Sequence, residues 1–232
     1  MAIISATRNN RQPTILRLMS VIFFLVVLFA FCVTGYTATH HQALQFDTAI
    51  FAWLQSIRSS FMTNCAMIVT FFGSGYFLFP CYTILVIYYL FIQKRIRFAV
   101  AVALVGFLGT RLLYLMQDTF ERVRPSGPLI PDVTGYGYPS GHSFASFVFA
   151  GLIGFIIVRK NLQKKWTVIT AAVLVFYASV IALSRSYLRV HYPTDVLGGI
   201  YLSILWLIPC WWILYFITKS DERSKARYSQ SQ

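Results

Sequence analysis

Long apolar runs separated by short polar segments dominate the chain. Six of these runs are long enough to be predicted as transmembrane helices, because about 20 apolar residues cross a bilayer as an α-helix. They cover residues 18–36, 76–93, 98–116, 142–158, 166–183 and 196–217. The sequence therefore predicts an all-α fold, a polytopic membrane helix bundle with six transmembrane helices.

Residues 41–64 mix polar and apolar positions and do not read as a further span. Their apolar residues recur at helical spacing, which predicts a helix lying in the membrane interface between spans 1 and 2; they include Leu44, Trp53, Leu54 and Ile57. Gly73, Gly75 and Pro80 then predict an irregular entry into the second span.

Composition agrees with a membrane protein. Of the 232 residues, 57% are hydrophobic and only 12% are charged, whereas soluble domains carry roughly a quarter charged residues. Six spans use nearly the whole chain, so we expect a single integral membrane domain over residues 1–232. Its core is expected at about residues 73–217, with cytoplasmic tails at 1–17 and 218–232. The first run resembles a signal peptide, but the later spans favour an uncleaved anchor.

The formal net charge of +13 does not indicate a nucleic-acid partner. The basic residues form short clusters between apolar runs, as the positive-inside rule requires of cytoplasmic loops. Every lysine falls in the links at 94–97 and 159–165 or in the C-terminal tail. We therefore expect a multi-pass protein of the cell membrane with both termini cytoplasmic. The polar segments 117–141 and 184–195 then lie on the non-cytoplasmic face.

The stretch Pro139-Ser140-Gly141-His142 stands directly before the fourth span. Ser140 suits a helix N-cap, and Gly141 lets a ligand approach the backbone closely. Free N–H groups and the positive end of the helix dipole make such a helix start an anion site. A simple helix cap is the alternative for these residues taken alone.

A second histidine stands before the sixth span. Asp195 follows His191 by four residues, close enough to hold one ring nitrogen as N–H and leave the other as a nucleophile. A lone His–Asp pair is often structural, but Arg124, Arg185 and Arg189 accompany this one. Guanidinium groups suit a phosphoryl group, so the pattern predicts a phosphate pocket. In it, one histidine attacks phosphorus and the other protonates the departing oxygen.

These residues resemble the type-2 phosphatidic acid phosphatase family of membrane lipid phosphatases, whose fold is shared with vanadium haloperoxidases. The family signature has three parts: a lysine, six residues and Arg-Pro; then Pro-Ser-Gly-His; then Ser-Arg, five residues, His, three residues and Asp. The chain contains Arg124-Pro125, Pro139-Ser140-Gly141-His142, and Ser184-Arg185 with His191 and Asp195 at the same spacing. The resemblance covers about residues 73–217.

The resemblance implies a role for each matching residue. His191 would become a phosphohistidine, Asp195 would orient it, and His142 would be the acid for the leaving alkoxide. The phosphate oxygens would be held by Arg124, Arg185, Ser140 and Gly141. The family uses no metal and no other cofactor, and none is expected here, because a site lined by arginines disfavours a cation.

The chain departs from the signature at one position. The family lysine falls on Gln117, which we keep among the phosphate-binding residues because an amide can still donate a hydrogen bond. Arg111 and Arg122 are candidates to replace the missing charge. A structural role for Arg111, such as pairing with Asp118, is an equal alternative.

We therefore expect an enzyme that hydrolyses a phosphomonoester or pyrophosphate of a lipid at the outer leaflet. By resemblance, candidate substrates are phosphatidylglycerol phosphate, phosphatidic acid, undecaprenyl pyrophosphate and a lipid A phosphate, and the other partners are membrane lipids. The alternatives are a lipid phosphotransferase using the same intermediate and a noncatalytic lipid-phosphate binder in which Gln117 marks a decayed site. The presence of both His142 and His191 favours an enzyme, because binding alone needs only the arginines.

Overall fold

The computed structural model describes residues 3–41, 43–131, 133–160 and 163–230, with side chains described between 18 and 223. All regular elements in these ranges are helical, and a π-helical turn (Tyr88–Ile92) extends the fourth helix. The α-helices are α1 (Ile3–His40), α2 (Gln45–Ser56), α3 (Ser60–Phe71), α4 (Gly75–Ile87), α5 (Ile96–Phe120), α6 (Gly141–Arg159), α7 (Lys164–Tyr187) and α8 (Pro193–Gln230).

Six stretches of the described chain are helical, long and apolar enough to cross a membrane, which confirms the predicted all-α architecture. They are Leu18–His40, Ser60–Ile92, Ile96–Phe120, Gly141–Arg159, Lys164–Tyr187 and Pro193–Arg223. The second stretch combines α3, α4 and the π-helical turn. The helix expected between spans 1 and 2 is present as α2.

The boundary between α2 and the second span differs from the expected one. Residues 41–64 do not form one helix, and the span does not begin near residue 76: α2 ends at Ser56 and α3 begins at Ser60. The cause is local, because Ser59 has an extended backbone and its hydroxyl accepts a hydrogen bond from the Met62 N–H at 3.2 Å. This N-cap starts a new helix in the middle of the predicted one.

The irregular backbone predicted from the glycines is present, but it is a break inside the second span, between α3 and α4 at residues 72–74, and not at the entry to the span. A side chain at Gly73 would put its Cβ 2.4 Å from Ile181 Cγ2, so only glycine lets the break lie this close to α7. The Tyr177 hydroxyl donates to the Phe72 carbonyl at 2.7 Å. That bond satisfies a backbone group that the break exposes, as a non-aqueous environment requires.

Helix α6 lies at the centre of the bundle, packed against α7 on one side and α8 on the other, while α1 packs against α8 and α4 against α5. Val102, Leu152 and Leu214 are almost completely buried in this core. Large apolar side chains such as Phe107 and Phe176 point outward and are exposed. An apolar outer surface of this extent is suited to lipid rather than water.

Two contacts fix the start of α6. A Cβ at Gly199 would lie 2.5 Å from the Ser140 carbonyl oxygen, so this glycine allows α8 to pack directly on the first turn of α6. The buried Tyr138 hydroxyl donates to the Phe31 carbonyl of α1 at 2.8 Å. The polar link between α5 and α6 therefore returns to the bundle at a defined point, beside the link between α7 and α8.

Candidate active site

The three polar clusters singled out in the sequence meet at one end of the bundle. The link after α5 supplies Arg124, the start of α6 supplies His142, and the segment from the end of α7 to the start of α8 supplies Arg185, His191 and Asp195. Direct contacts join the first and third clusters, while His142 lies within electrostatic range of Arg124, Arg185 and His191. The structure thus brings both predicted histidines and both predicted arginines into one site.

His191 lies between α7 and α8 and is buried. Its Nδ1 lies 2.8 Å from the Gly137 carbonyl oxygen; because a carbonyl only accepts, Nδ1 must carry the proton. Its Nε2 lies 3.0 Å from Arg124 Nη1; because a guanidinium only donates, Nε2 must offer its lone pair. Both contacts require the neutral Nδ1–H tautomer with an electron pair on Nε2.

The surroundings of His191 maintain this neutral form. Burial, above all, and the positive charges of Arg124 and Arg185 lower the pKa of His191, while the Asp195 carboxylate raises it; together they bring the pKa to about 4. The ordinary value is near 6.5, so the ring is deprotonated at pH 7. An imidazole nucleophile needs this protonation state.

Asp195 is placed differently from the sequence expectation. Its Oδ2 lies 3.7 Å from His191 Nδ1, too far for a hydrogen bond, and the Gly137 carbonyl holds that nitrogen instead. The Asp195 Oδ2 accepts from the Tyr192 N–H at 2.8 Å, which is half of a capping box at the start of α8. Asp195 therefore contributes a negative charge beside the ring, while a backbone carbonyl fixes the tautomer.

Arg124 is held by the backbone on both sides of the site. Its Nε donates to the Gly135 carbonyl at 2.9 Å and its Nη1 to the Val190 carbonyl at 3.0 Å. These bonds fix the guanidinium against His191 Nε2, and Nη2 donates no hydrogen bond to any residue that the structure describes. Such a geometry can present a cation to a group bound at Nε2.

Arg185 near the end of α7 is 5% exposed. Its Nη1 donates to the Thr70 hydroxyl of α3 at 2.6 Å, and its Nε is buried without a hydrogen-bond partner among the described residues. The guanidinium carbon of Arg189, the third arginine that accompanies His191 and Asp195, lies 5.1 Å from the centroid of the Phe51 ring of α2. In the described part of the chain, no group of three or more His, Cys, Asp or Glu side chains could hold a metal ion.

Ser140 and Gly141 begin α6 as predicted, with Ser140 at the N-cap position. The Ser140 hydroxyl makes no capping bond and instead accepts from the Ser143 hydroxyl at 3.0 Å. The Ser140 N–H donates to the Asp195 carbonyl oxygen at 2.9 Å. The first turns of α6 and α8 are thereby joined, and His142 in the first turn of α6 is partly exposed, with no hydrogen bond to any described residue.

Gln117 is buried at the end of α5, and its Nε2 donates to the Pro139 carbonyl at 3.0 Å. The amide thus supports the backbone of the Pro-Ser-Gly-His segment. Neither candidate replacement for the family lysine supplies a cation beside it. Arg111 is exposed, and no ion pair with Asp118 is present among the described side chains; Arg122 is buried and bonded to carboxylates.

Sequence reasoning missed Asp47, which is completely buried on α2 and forms an ion pair with Arg122 at 3.0 Å. It also missed Thr70 and the Gly137 carbonyl. Only Asp47 left a usable signal: the chain has seven acidic residues, and a carboxylate in an apolar membrane segment is costly unless it is paired.

The known proteins with similar sequences are named as phosphatases or diphosphatases. The sequence profile of the PAP2 superfamily matches residues 96–219. Phosphatidylglycerophosphatase B of Bacillus subtilis is 31% identical in an alignment of 212 residues that covers 88% of this chain and 98% of the relative. An undecaprenyl-diphosphatase of Sulfolobus acidocaldarius is 26% identical over 172 residues, covering 73% of this chain and 76% of the relative.

Solved structures show the same fold. The crystal structure of a transmembrane PAP2-type phosphatidylglycerolphosphate phosphatase from Bacillus subtilis matches with a TM-score of 0.72 at 26% identity, over 86% of this chain and 96% of that one. LpxE from Aquifex aeolicus shares the fold, with a TM-score of 0.56 at 22% identity over 72% of this chain and 96% of that one. Since the family profile spans more than half of the chain and the Bacillus relative aligns over nearly its whole length, the chain belongs to the PAP2 superfamily, the family that its three-part signature indicated.

Proposed function

We propose that this protein is a lipid phosphatase that hydrolyses a phosphomonoester or pyrophosphate of a membrane lipid through a phosphohistidine formed at His191. The observation that carries this proposal is the protonation state of His191. Its Nδ1–H donates a hydrogen bond to the Gly137 carbonyl, and its Nε2 electron pair faces Arg124. A binding site would need the cation, but it would not need a neutral imidazole nucleophile beside it.

In the first step, the Nε2 electron pair of His191 attacks phosphorus and the bond from phosphorus to the lipid oxygen breaks. The ring becomes positively charged as the N–P bond forms, and the Asp195 carboxylate at 3.7 Å offsets that charge. Arg124, Arg185 and the N–H groups at the start of α6 face the phosphoryl oxygens, on which negative charge is spread in the transition state.

His142 completes both steps as the proton carrier. Its imidazolium gives a proton to the departing lipid oxygen, and a bound phosphate dianion favours that protonated ring electrostatically. In the second step, neutral His142 accepts a proton from water while the water oxygen attacks phosphorus. The N–P bond then breaks, inorganic phosphate leaves, and both histidines return to their starting states.

The names of two relatives support the proposed substrate class. One is named a phosphatidylglycerophosphatase and the other an undecaprenyl-diphosphatase. Both names describe a lipid whose headgroup ends in a phosphate, which is also what a site of two arginines and a helix N-terminus at the end of an apolar bundle would bind. We infer that this chain acts on a lipid of the same kind.

The assay that tests this function compares two leaving groups. Purified protein in mixed micelles with EDTA should release phosphate from phosphatidylglycerol phosphate or undecaprenyl pyrophosphate. His142→Ala should lower kcat/KM on the lipid by roughly 10²–10³-fold, the usual contribution of a positioned acid. On an aryl phosphate, whose leaving group needs little protonation, kcat/KM should fall far less.

His40→Ala is the matched control for that assay, because His40 is exposed on α1 and, among the described residues, forms hydrogen bonds only within its own helix. It should leave both rate constants unchanged. Equal losses on the lipid and the aryl phosphate in His142→Ala would refute the acid role. Transfer of the phosphoryl group to an added lipid alcohol, without release of phosphate, would identify a phosphotransferase instead.

The active site is proposed to lie on the non-cytoplasmic face, with both termini in the cytoplasm. The support is the charge asymmetry: Lys94, Lys160, Lys165 and Lys219 are exposed in the links and tail away from the site-bearing end of the bundle, as the positive-inside rule requires of cytoplasmic segments.

Cysteine labelling in intact cells tests this orientation. In a variant lacking the four native cysteines, Ser126→Cys should react with an impermeant maleimide, whereas Gln163→Cys should react only after the membrane is permeabilised. Both positions are exposed, so accessibility on the protein itself is matched. Labelling of both from the same side would contradict the topology.

Gln117→Lys tests whether the site lacks a cation at the family position. Because the Gln117 amide holds the Pro139 carbonyl, we expect lysine to weaken that support and to add repulsion with Arg124 and Arg185. The value of kcat/KM should therefore stay the same or fall. A gain of about tenfold, which corresponds to a charge-assisted bond worth roughly 1–2 kcal/mol, would show that the cation was missing. Gln163→Lys, which adds the same charge to an exposed link, is the control.

A further inference from the structure

Helix α2 contributes one carboxylate to the end of the bundle that bears the site. The Asp47 Oδ1 accepts from the Thr194 N–H at 2.9 Å, and its Oδ2 accepts from the Thr194 hydroxyl at 2.8 Å. Thr194 lies in the first turn of α8, where backbone N–H groups lack partners within the helix. A carboxylate from a distant helix therefore caps the helix that begins two residues after His191.

The same carboxylate holds Arg122. Its Oδ2 accepts from Arg122 Nη2 at 3.0 Å, while Arg122 Nη1 donates to Asp195 Oδ1 at 2.5 Å. The side chains of all three residues are 2% exposed or less. A buried row thus runs from Asp47 through Arg122 to Asp195, whose other oxygen lies 3.7 Å from the His191 ring.

The row of Asp47, Arg122 and Asp195 determines how much negative charge lies next to His191. Two carboxylates share one guanidinium, so the positive charge of Arg122 is divided between them. Without the charge of Asp47, Arg122 would interact more strongly with Asp195 and would cancel more of its negative charge. Such changes act strongly here, because water screens buried charges poorly.

Packing supports the same arrangement. The Arg122 guanidinium carbon lies 4.2 Å from the centroid of the Tyr192 ring. The centroid of the Phe51 ring of α2 lies 5.6 Å from that of the Tyr192 ring. Helix α2 is therefore fixed over the residue that follows His191, by Asp47 at one turn and Phe51 at the next. The contact between α2 and the start of α8 is specific, because Asp47 bonds to Arg122 and Thr194 while Phe51 packs against Tyr192.

We propose that Asp47 is a positioning residue for the reaction at His191, acting through Arg122 to keep Asp195 in place and negatively charged beside the imidazole. Its effect on turnover rests on the proposed function. When the N–P bond forms and the ring becomes cationic, Asp195 offsets that charge, and Asp47 preserves its ability to do so. Asp47 itself does not touch the reacting atoms.

Asp47→Asn, Asp195→Asn and the double variant test this kinetically. Asp47→Asn should lower kcat by about tenfold, as outer partners of a functional imidazole typically do, and leave KM unchanged. In the Asp195→Asn background, Asp47→Asn should cause no further loss, because its effect passes through Asp195. A loss that is the same in both backgrounds, or a change confined to KM, would overturn the proposal.

Asp118→Asn is the matched control. Asp118 is an exposed carboxylate near the end of α5, on the same side of the bundle, and forms no ion pair with a described residue. It should leave kcat, KM and thermal stability unchanged. A loss equal to that of Asp47→Asn would show that any nearby carboxylate has the effect, and would contradict the assigned row.

Thermal unfolding of the same variants can be measured whether or not the protein turns over a substrate. Each single variant keeps one of the two ion pairs that Arg122 forms with Asp47 and Asp195, and should lower Tm by roughly 2–4 °C. The double variant removes both of these ion pairs, and the weaker compensation of the buried guanidinium should lower Tm by about 10 °C or more, beyond the sum of the single shifts. Additive shifts would overturn the proposal. If the wild-type protein released no phosphate from any lipid, the proposed function would fail, and this cycle would still decide whether Asp47 and Asp195 are coupled through Arg122.

Discussion

The compensation of buried guanidinium groups at one end of an apolar bundle determines most of what this protein can do. Arg122 is compensated inside the protein by Asp47 and Asp195. Among the described residues, Arg124 and Arg185 are bonded only to neutral groups, namely backbone carbonyls, an imidazole and the Thr70 hydroxyl. Arginines without a carboxylate partner, such as these two, are costly at a membrane surface unless an anion binds beside them. The same physical requirement thus separates the arginine that supports the site from the two proposed to bind phosphate.

Helix direction explains why these groups meet. Helices α6 and α8 both begin at the end where α5 and α7 finish, so two helix N-termini and their partial positive charges lie together. The Ser140 N–H joins the two starts through the Asp195 carbonyl. His142 stands in the first turn of α6 and His191 just before α8, which gives the two rings different surroundings. Burial keeps His191 neutral, while His142 stays partly exposed and forms no hydrogen bond with a described residue.

Much of this arrangement is readable from the sequence, because its strongest signals are long apolar runs and polar residues at helix mouths. Spans 3 to 6 and the convergence of His142, His191, Arg124 and Arg185 follow from those signals. The boundary at Ser59 does not, since one local N-cap decides it within an apolar segment. The hydrogen bond from His191 to Gly137 cannot be read either, because every residue has a carbonyl. Asp47 and Thr194 are 147 positions apart, and no spacing rule connects them.

The central claim is that His191 forms a covalent bond to phosphorus, and trapping that bond tests it most directly. In His142→Ala, an aryl phosphate labelled at the phosphoryl group should still phosphorylate the enzyme, while hydrolysis lacks its base and the intermediate accumulates. After a rapid alkaline quench, peptide mass spectrometry should find the label on His191, stable to base and lost in mild acid. Turnover of the wild-type enzyme with no covalent label in the trapping variant, or with the label on another residue, would contradict the mechanism.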